Sequence, residues 1–110
     1  MANVTNLTID QGSNVSVTIL VTDSTGSARN ITGYTGRSQL RRSYFSTSNT
    51  SFTVTITNPT EGEVVLSMSA DTSANLKYGR YVYDVELVSS TYNVERIIEG
   101  IVTVYPEVTK

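Results

Sequence analysis

The sequence predicts an all-β domain, and three observations carry that prediction. Thr and Ser number 17 and 14 among 110 residues. Such a load suits the solvent face of a pleated sheet, whereas in helix interiors these hydroxyls compete for backbone partners. Apolar and polar residues alternate with a period of two in stretch after stretch. The stretches are short, and clusters of Gly, Pro, Asn, Asp and Ser separate them.

Taken in order, an edge strand is expected near Leu7 and Ile9. Val15, Val17, Ile19 and Val21 then alternate with Ser16, Thr18, Leu20 and Thr22, the signature of a half-buried strand. Asp23-Ser24-Thr25-Gly26 closes it with turn-forming residues, and Asn30 to Tyr34 reads as a short connector. A weaker alternation over Gly36 to Phe45 predicts a strand with Leu40 inward. Phe52, Val54 and Ile56 alternate with threonines, and after the loop Asn58 to Gly62 come Val64, Leu66 and Met68, which together predict an antiparallel hairpin. One helical turn is expected over Asp71 to Leu76, capped by Asp71 or Thr72. Tyr81, Tyr83, Val85 and Leu87 share a face of the next strand. The last strand runs from Val94 to about Tyr105 with Ile98, Val102 and Val104 inward. Gly100 on that inward face implies a bulge or the close approach of a neighbour.

About seven short strands with no helical layer predict an immunoglobulin-like antiparallel β-sandwich, with a barrel as the alternative. The expected core is Val15, Val17, Ile19, Val21, Leu40, Phe52, Val54, Ile56, Val64, Leu66, Met68, Tyr81, Tyr83, Val85, Leu87, Ile98, Val102 and Val104. Truncating Ile56 or Leu66 to Ala would then cost about 2–5 kcal/mol. The length fits one domain over residues 1–110, with extended arms expected at about 1–9 and 105–110. Cysteine is absent, so stability rests on the core. The net charge of −2 offers no basic footprint for nucleic acid. No apolar run approaches the roughly 18 residues of a membrane span, and the first residues do not read as an export signal.

The absence of His and Cys removes the usual triads and the His- or Cys-ligated zinc sites. Carboxylate-only chemistry needs two acids flanking one bond, and Asp84 with Glu86 or Glu95 with Glu99 are the candidate pairs; the first falls on the solvent face of its strand. Gly-rich phosphate loops and a full calcium loop are missing, and the expectation is a non-enzyme without metal or cofactor. Arg37 and Arg41 fall on one side of one strand and Arg42 extends the charge, a strip that would dock an acidic surface or else pair with Asp84 and Glu86 across a sheet. Tyr44, Tyr78 and Tyr105, near strand ends, are the aromatic contact candidates. Five Asn-X-Ser/Thr triplets, at Asn3, Asn6, Asn14, Asn30 and Asn49, are expected by chance in so Ser- and Thr-rich a chain.

Several strings are distinctive together: Asp10-Gln11-Gly12-Ser13, Thr32-Gly33-Tyr34-Thr35-Gly36-Arg37, Leu40-Arg41-Arg42-Ser43, Tyr78-Gly79-Arg80-Tyr81-Val82-Tyr83-Asp84-Val85, and the closing run from Glu99 to Thr109. From about Ile9 onward the chain resembles small virion proteins of tailed bacteriophages, especially those of marine cyanobacteria. It is more distantly similar to the immunoglobulin-like N-terminal domain of phage baseplate upper proteins. The resemblance implies a non-enzymatic structural protein located in the virion, an accessory or decoration subunit on a symmetric capsid, neck or tail assembly. Its partners would be other virion proteins or further copies of itself. Unlike the baseplate proteins, nothing is expected to follow the sandwich. The alternative is a carbohydrate-binding or host-adhesion module.

Overall fold

The computed structural model describes residues 3–43, 46 and 49–108. Eight strands follow in order: β1 Asn3–Val4, β2 Leu7–Asp10, β3 Val15–Leu20, β4 Thr35–Arg41, β5 Thr50–Asn58, β6 Glu63–Met68, β7 Gly79–Val88 and β8 Val94–Tyr105. A 3-10 turn at Pro59–Glu61 joins β5 to β6, and a single helical turn, α1 Ala70–Ala74, precedes β7. Ser69 caps α1 by accepting the Thr72 amide, so the cap lies two or three residues before the residues expected from sequence.

The strands form an immunoglobulin-like sandwich. In the larger sheet β7 lies antiparallel between β4 and β8, while β1 and β2 run parallel to β8 along its far side. In the smaller sheet β6 lies antiparallel between β5 and β3. Strand β5 belongs to both: Thr50–Phe52 pair with β4, and from Thr53 onward it pairs with β6. The path from β1 to β3 therefore curls over without closing, so the sandwich holds and the barrel does not. One end of the sandwich, the α1 end, gathers residues 10–14, 41–43, 69–80 and 105–108. The opposite end gathers residues 21–34, 58–63 and 89–95.

The alternation predicts most of the core, including Leu40, Leu66, Val85, Leu87, Val102 and Val104, each at most 2% exposed. Val15, Val17, Val54 and Ile56 only flank it, because β3 and β5 are the two outer strands of the smaller sheet and one flank of each side chain stays open. Two buried residues absent from the expected core, Ile9 and Ile31, come from the expected edge strand within the N-terminal arm and from the connector. Leu76 and Ile97 join them; at Ile97 the β7–β8 register shifts, which turns two successive isoleucines, Ile97 and Ile98, inward.

The expected terminal arms need correction. Residues 3–4 and 7–10 are strands paired with β8, and Ile9 fills the core, so the N-terminal segment is part of the sheet. At the other terminus Tyr105 ends β8, and the Glu107 amide donates to Gln11 Oε1 at 3.1 Å, while Gln11 Nε2 donates to the Leu76 carbonyl at 2.7 Å. Val108, further along that tail, is almost fully exposed.

The break between β1 and β2 is held from three sides. The Thr5 amide donates to Glu99 O, Asn6 Oδ1 accepts the Ile101 amide, and the Tyr83 hydroxyl donates to Thr5 O at 2.6 Å. Tyr83 faces Gly100 across the β7–β8 ladder. A Cβ on Gly100 would run into the Thr5 carbonyl, so the glycine is the gap through which that carbonyl reaches the phenol. The close approach expected at Gly100 is therefore made by backbone, and the bulge lies at Ile97.

A second tyrosine fixes the start of β7. Tyr81 donates its hydroxyl to Lys77 O, 2.7 Å away and four residues upstream, the tyrosine corner of immunoglobulin-like sandwiches. The Arg42 guanidinium lies 4.4 Å from the Tyr81 ring centroid and donates to Tyr78 O at 2.8 Å.

Two stability results follow. Leu66→Ala should cost about 3–5 kcal/mol in urea denaturation, and Ile56→Ala, half-buried at a sheet margin, clearly less; equal losses would contradict this division of the core. Gly100→Ala should cost about 1–3 kcal/mol by displacing the Thr5 backbone, and Tyr83→Phe about 1 kcal/mol for the lost hydrogen bond. A Gly100→Ala protein as stable as the parent would refute the gap.

Candidate functional site

The outer face of the larger sheet carries most of the charge that the sequence singles out. Register sets Arg37 opposite Glu86 and Gln39 opposite Asp84 on β4 and β7, and Glu86 opposite Arg96 and Asp84 opposite Glu99 on β7 and β8. Arg37 Nε lies 2.7 Å from Glu86 Oε1, and Arg96 reaches both Asp84, at 3.3 Å, and Glu99, at 3.4 Å. The Arg37–Glu86–Arg96 row thus alternates cation and carboxylate across three strands, while the next row sets Asp84 opposite Glu99. The Glu86 contact, helped by Tyr92, raises Arg37 above its ordinary value. Solvent screening leaves such exposed pairs little net contribution to stability.

Asp84 is the exception in this lattice. Burial pushes its pKa up, the neighbouring Glu86 and Glu99 push it the same way, and Arg96 and Arg37 oppose them without winning. The arrangement disfavours the ionised carboxyl, yet no second acid stands across an enclosed space from it: Asp84, Glu86 and Glu99 share a shallow depression of about 280 Å³ with Arg41 and Arg96. The other carboxylate pair proposed from sequence is not brought together as an acid pair, since Glu95 meets Arg29 through two 2.8 Å hydrogen bonds that lower its pKa.

The six residues expected at an interface fall in different places. Arg37 lies in the ion-pair lattice. Arg41 donates to Ser46 O and to Gln39 Oε1. Arg42 is a structural residue over Tyr81. Tyr44 lies outside the described residues. Tyr78 and Tyr105, 66% and 52% exposed, directly precede and follow the last β7–β8 pair, Gly79 with Val104, at the α1 end.

The open backbone of the sandwich lies where β5 changes sheets, a feature that side-chain alternation does not reveal. Before Ser38, β4 pairs only with β7, and after Phe52, β5 pairs only with β6. Gly36 and Val54 touch beneath this opening, where a Cβ on Gly36 would collide with the Val54 side chain. Beside it lies a depression of about 410 Å³, lined by Arg37, Gln39, Ser51, Phe52 and their neighbours. Thr53, Thr55 and Thr57 present an exposed, uncharged row along β5.

No family model matches the chain, and no curated protein matches it. Among solved structures it is similar to the crystal structure of the Lin-41 filamin domain, at 15% identity and a TM-score of 0.41, over 82% of this chain and 81% of that one.

The raised pKa of Asp84 gives a signed expectation. A folded-state pKa above the ordinary 3.8 means that ionisation works against the fold, so stability from the neutral form is present at low pH and lost as pH rises through the folded value. Asp84→Asn should therefore leave stability at pH 7 unchanged or raised, with no difference at pH 3, in denaturation at both pH values. A loss of more than about 1 kcal/mol at pH 7 would show that the Arg96 contact dominates.

Proposed function

We propose that this chain is a non-catalytic structural module that docks on a symmetric virion assembly, on capsid, neck or tail, by accepting an extended segment of a partner virion protein at the β4–β5 opening. The observation that carries the reading is the changeover of β5, which leaves unpaired backbone on β4 before Ser38 and on β5 after Phe52. An open edge is a template for strand addition, in which main-chain hydrogen bonds supply affinity and flanking side chains supply choice. Two further features support it. The carboxylates that hydrolytic chemistry would need are engaged with Arg29, Arg37 and Arg96, and the sequence strings quoted above resemble those of phage virion proteins.

A second reading, a glycan-binding module, draws on Tyr78 and Tyr105, which flank one ladder end and leave their rings open to solvent. Binding on a glycan array that is lost in Tyr78→Ala would favour it.

Particles purified from the parent phage should contain the chain at a fixed copy number, with matching density at symmetry-related positions in cryo-electron microscopy. Thr53→Lys with Thr55→Lys, which charges the open edge of β5, should lower occupancy about tenfold. Ser67→Lys, beside Thr53 but on central β6, should not. Absence of the chain from every particle would overturn the proposal.

A further inference from the structure

The ion pairs of this protein are distributed unevenly along its long axis. Arg29, Arg37 and Arg96 each hold a carboxylate. The four other described cations, Arg41, Arg42, Lys77 and Arg80, sit toward the α1 end, and among the described residues none has a carboxylate within ion-pair distance. Arg41, Arg42 and Lys77 line one depression of about 380 Å³ between β4 and the segment joining α1 to β7, and no carboxylate shares that lining. Asp10, Asp71 and Glu107 occupy the same end; the Glu107 carboxylate lies against Gly12, in the turn after β2.

The opposite end shows the reverse. Glu61 and Glu63 flank Gly62 at the β5–β6 turn, and Asp23 lies in the neighbouring turn; among the described residues none of the three has a cation within ion-pair distance. Asp23 is tied to its own turn, accepting from Thr25 and Ser27. Glu61 is exposed. An acidic protein of net charge −2 thus carries, among its described residues, a depression lined by cations without an ion pair at one end and an acidic turn without an ion pair at the other, on a body 42 Å long.

We propose that copies of this chain associate head to tail, the Glu61–Glu63 turn of one copy entering the Arg41–Arg42–Lys77 depression of the next. The contact is heterologous: two different surfaces meet, so it propagates into rows or closes into a ring instead of stopping at a symmetric dimer. Its cross-section is about 27 by 23 Å, small for a stable interface, and most of its attraction is between exposed charges. It is therefore weak in solution, screened by salt, and effective where an assembly already places copies in line. The inference rests on the assembly reading given above and names one partner within it, a second copy.

The test uses the purified chain and sedimentation velocity, without particles, so its failure is separable from failure of virion docking. At about 20 mM salt the weight-average mass should rise roughly twofold as protein goes from about 20 µM to 1 mM, and at about 500 mM salt the rise should vanish. Lys77→Glu/Arg80→Glu and Glu61→Lys/Glu63→Lys alter exposed side chains and the half-buried Glu63, none of them in the core, and each variant alone should stay monomeric. Mixed in equal amounts they should associate again, because each basic end meets an acidic one. A monomeric parent at 1 mM and low salt overturns the inference, as does association that ignores salt and both reversals.

Discussion

The contact that ties the N-terminal segment into the sandwich is the hydrogen bond from Tyr83 to the carbonyl of Thr5, made through the gap left by Gly100. A buried phenol needs an acceptor, and burial alone pushes the Tyr83 pKa up to about 12. The acceptor lies 78 residues away in sequence, on the segment that crosses from β1 to β2. Fixing that crossing sets both short strands parallel to β8 and carries Ile9 into the core. Phe52, edge-on to the Tyr83 ring at 6.2 Å, links the same tyrosine to the strand that changes sheets.

With the core closed in this way, the chemistry left to the surface is of two kinds. Along the larger sheet Arg37 meets Glu86 in register, and Arg96 reaches both Asp84 and Glu99, which face each other. Backbone groups at the β4–β5 opening and charges at the two ends have no such partners within the described fold. Open backbone edges and unpaired end charges are the kinds of groups that strand addition and charge complementarity between chains use.

Much of this was legible from the residues. Strict alternation placed Leu40, Leu66, Val85 and Val102 inward because period two and burial of one face are the same fact. Gly100 stood out as a glycine on an inward face. Pairing of the basic strip with Asp84 and Glu86 was one of two open readings, and the register of β4 on β7 realises it between Arg37 and Glu86. The edge strand at Leu7 and Ile9 was legible but its place was not: two apolar residues in a polar run do not show that Ile9 is buried or that the parallel partner lies about 95 residues away. Ile31 was hidden for a related reason, as a lone apolar residue inside a turn with no period to reveal it. Arg42 reads as a free surface cation until Tyr81 is placed beneath it. The β4–β5 opening depends on where one strand changes neighbours, which alternation does not encode.

The most direct measurement of the central claim is amide hydrogen exchange resolved by residue. The Thr5, Gln11 and Ile101 amides, bonded to Glu99 O, Tyr105 O and Asn6 Oδ1, should exchange about as slowly as those of β7. Rapid exchange at these three positions with β4 and β7 still protected would mean that the N-terminal segment is an arm after all and that Tyr83 does not hold it.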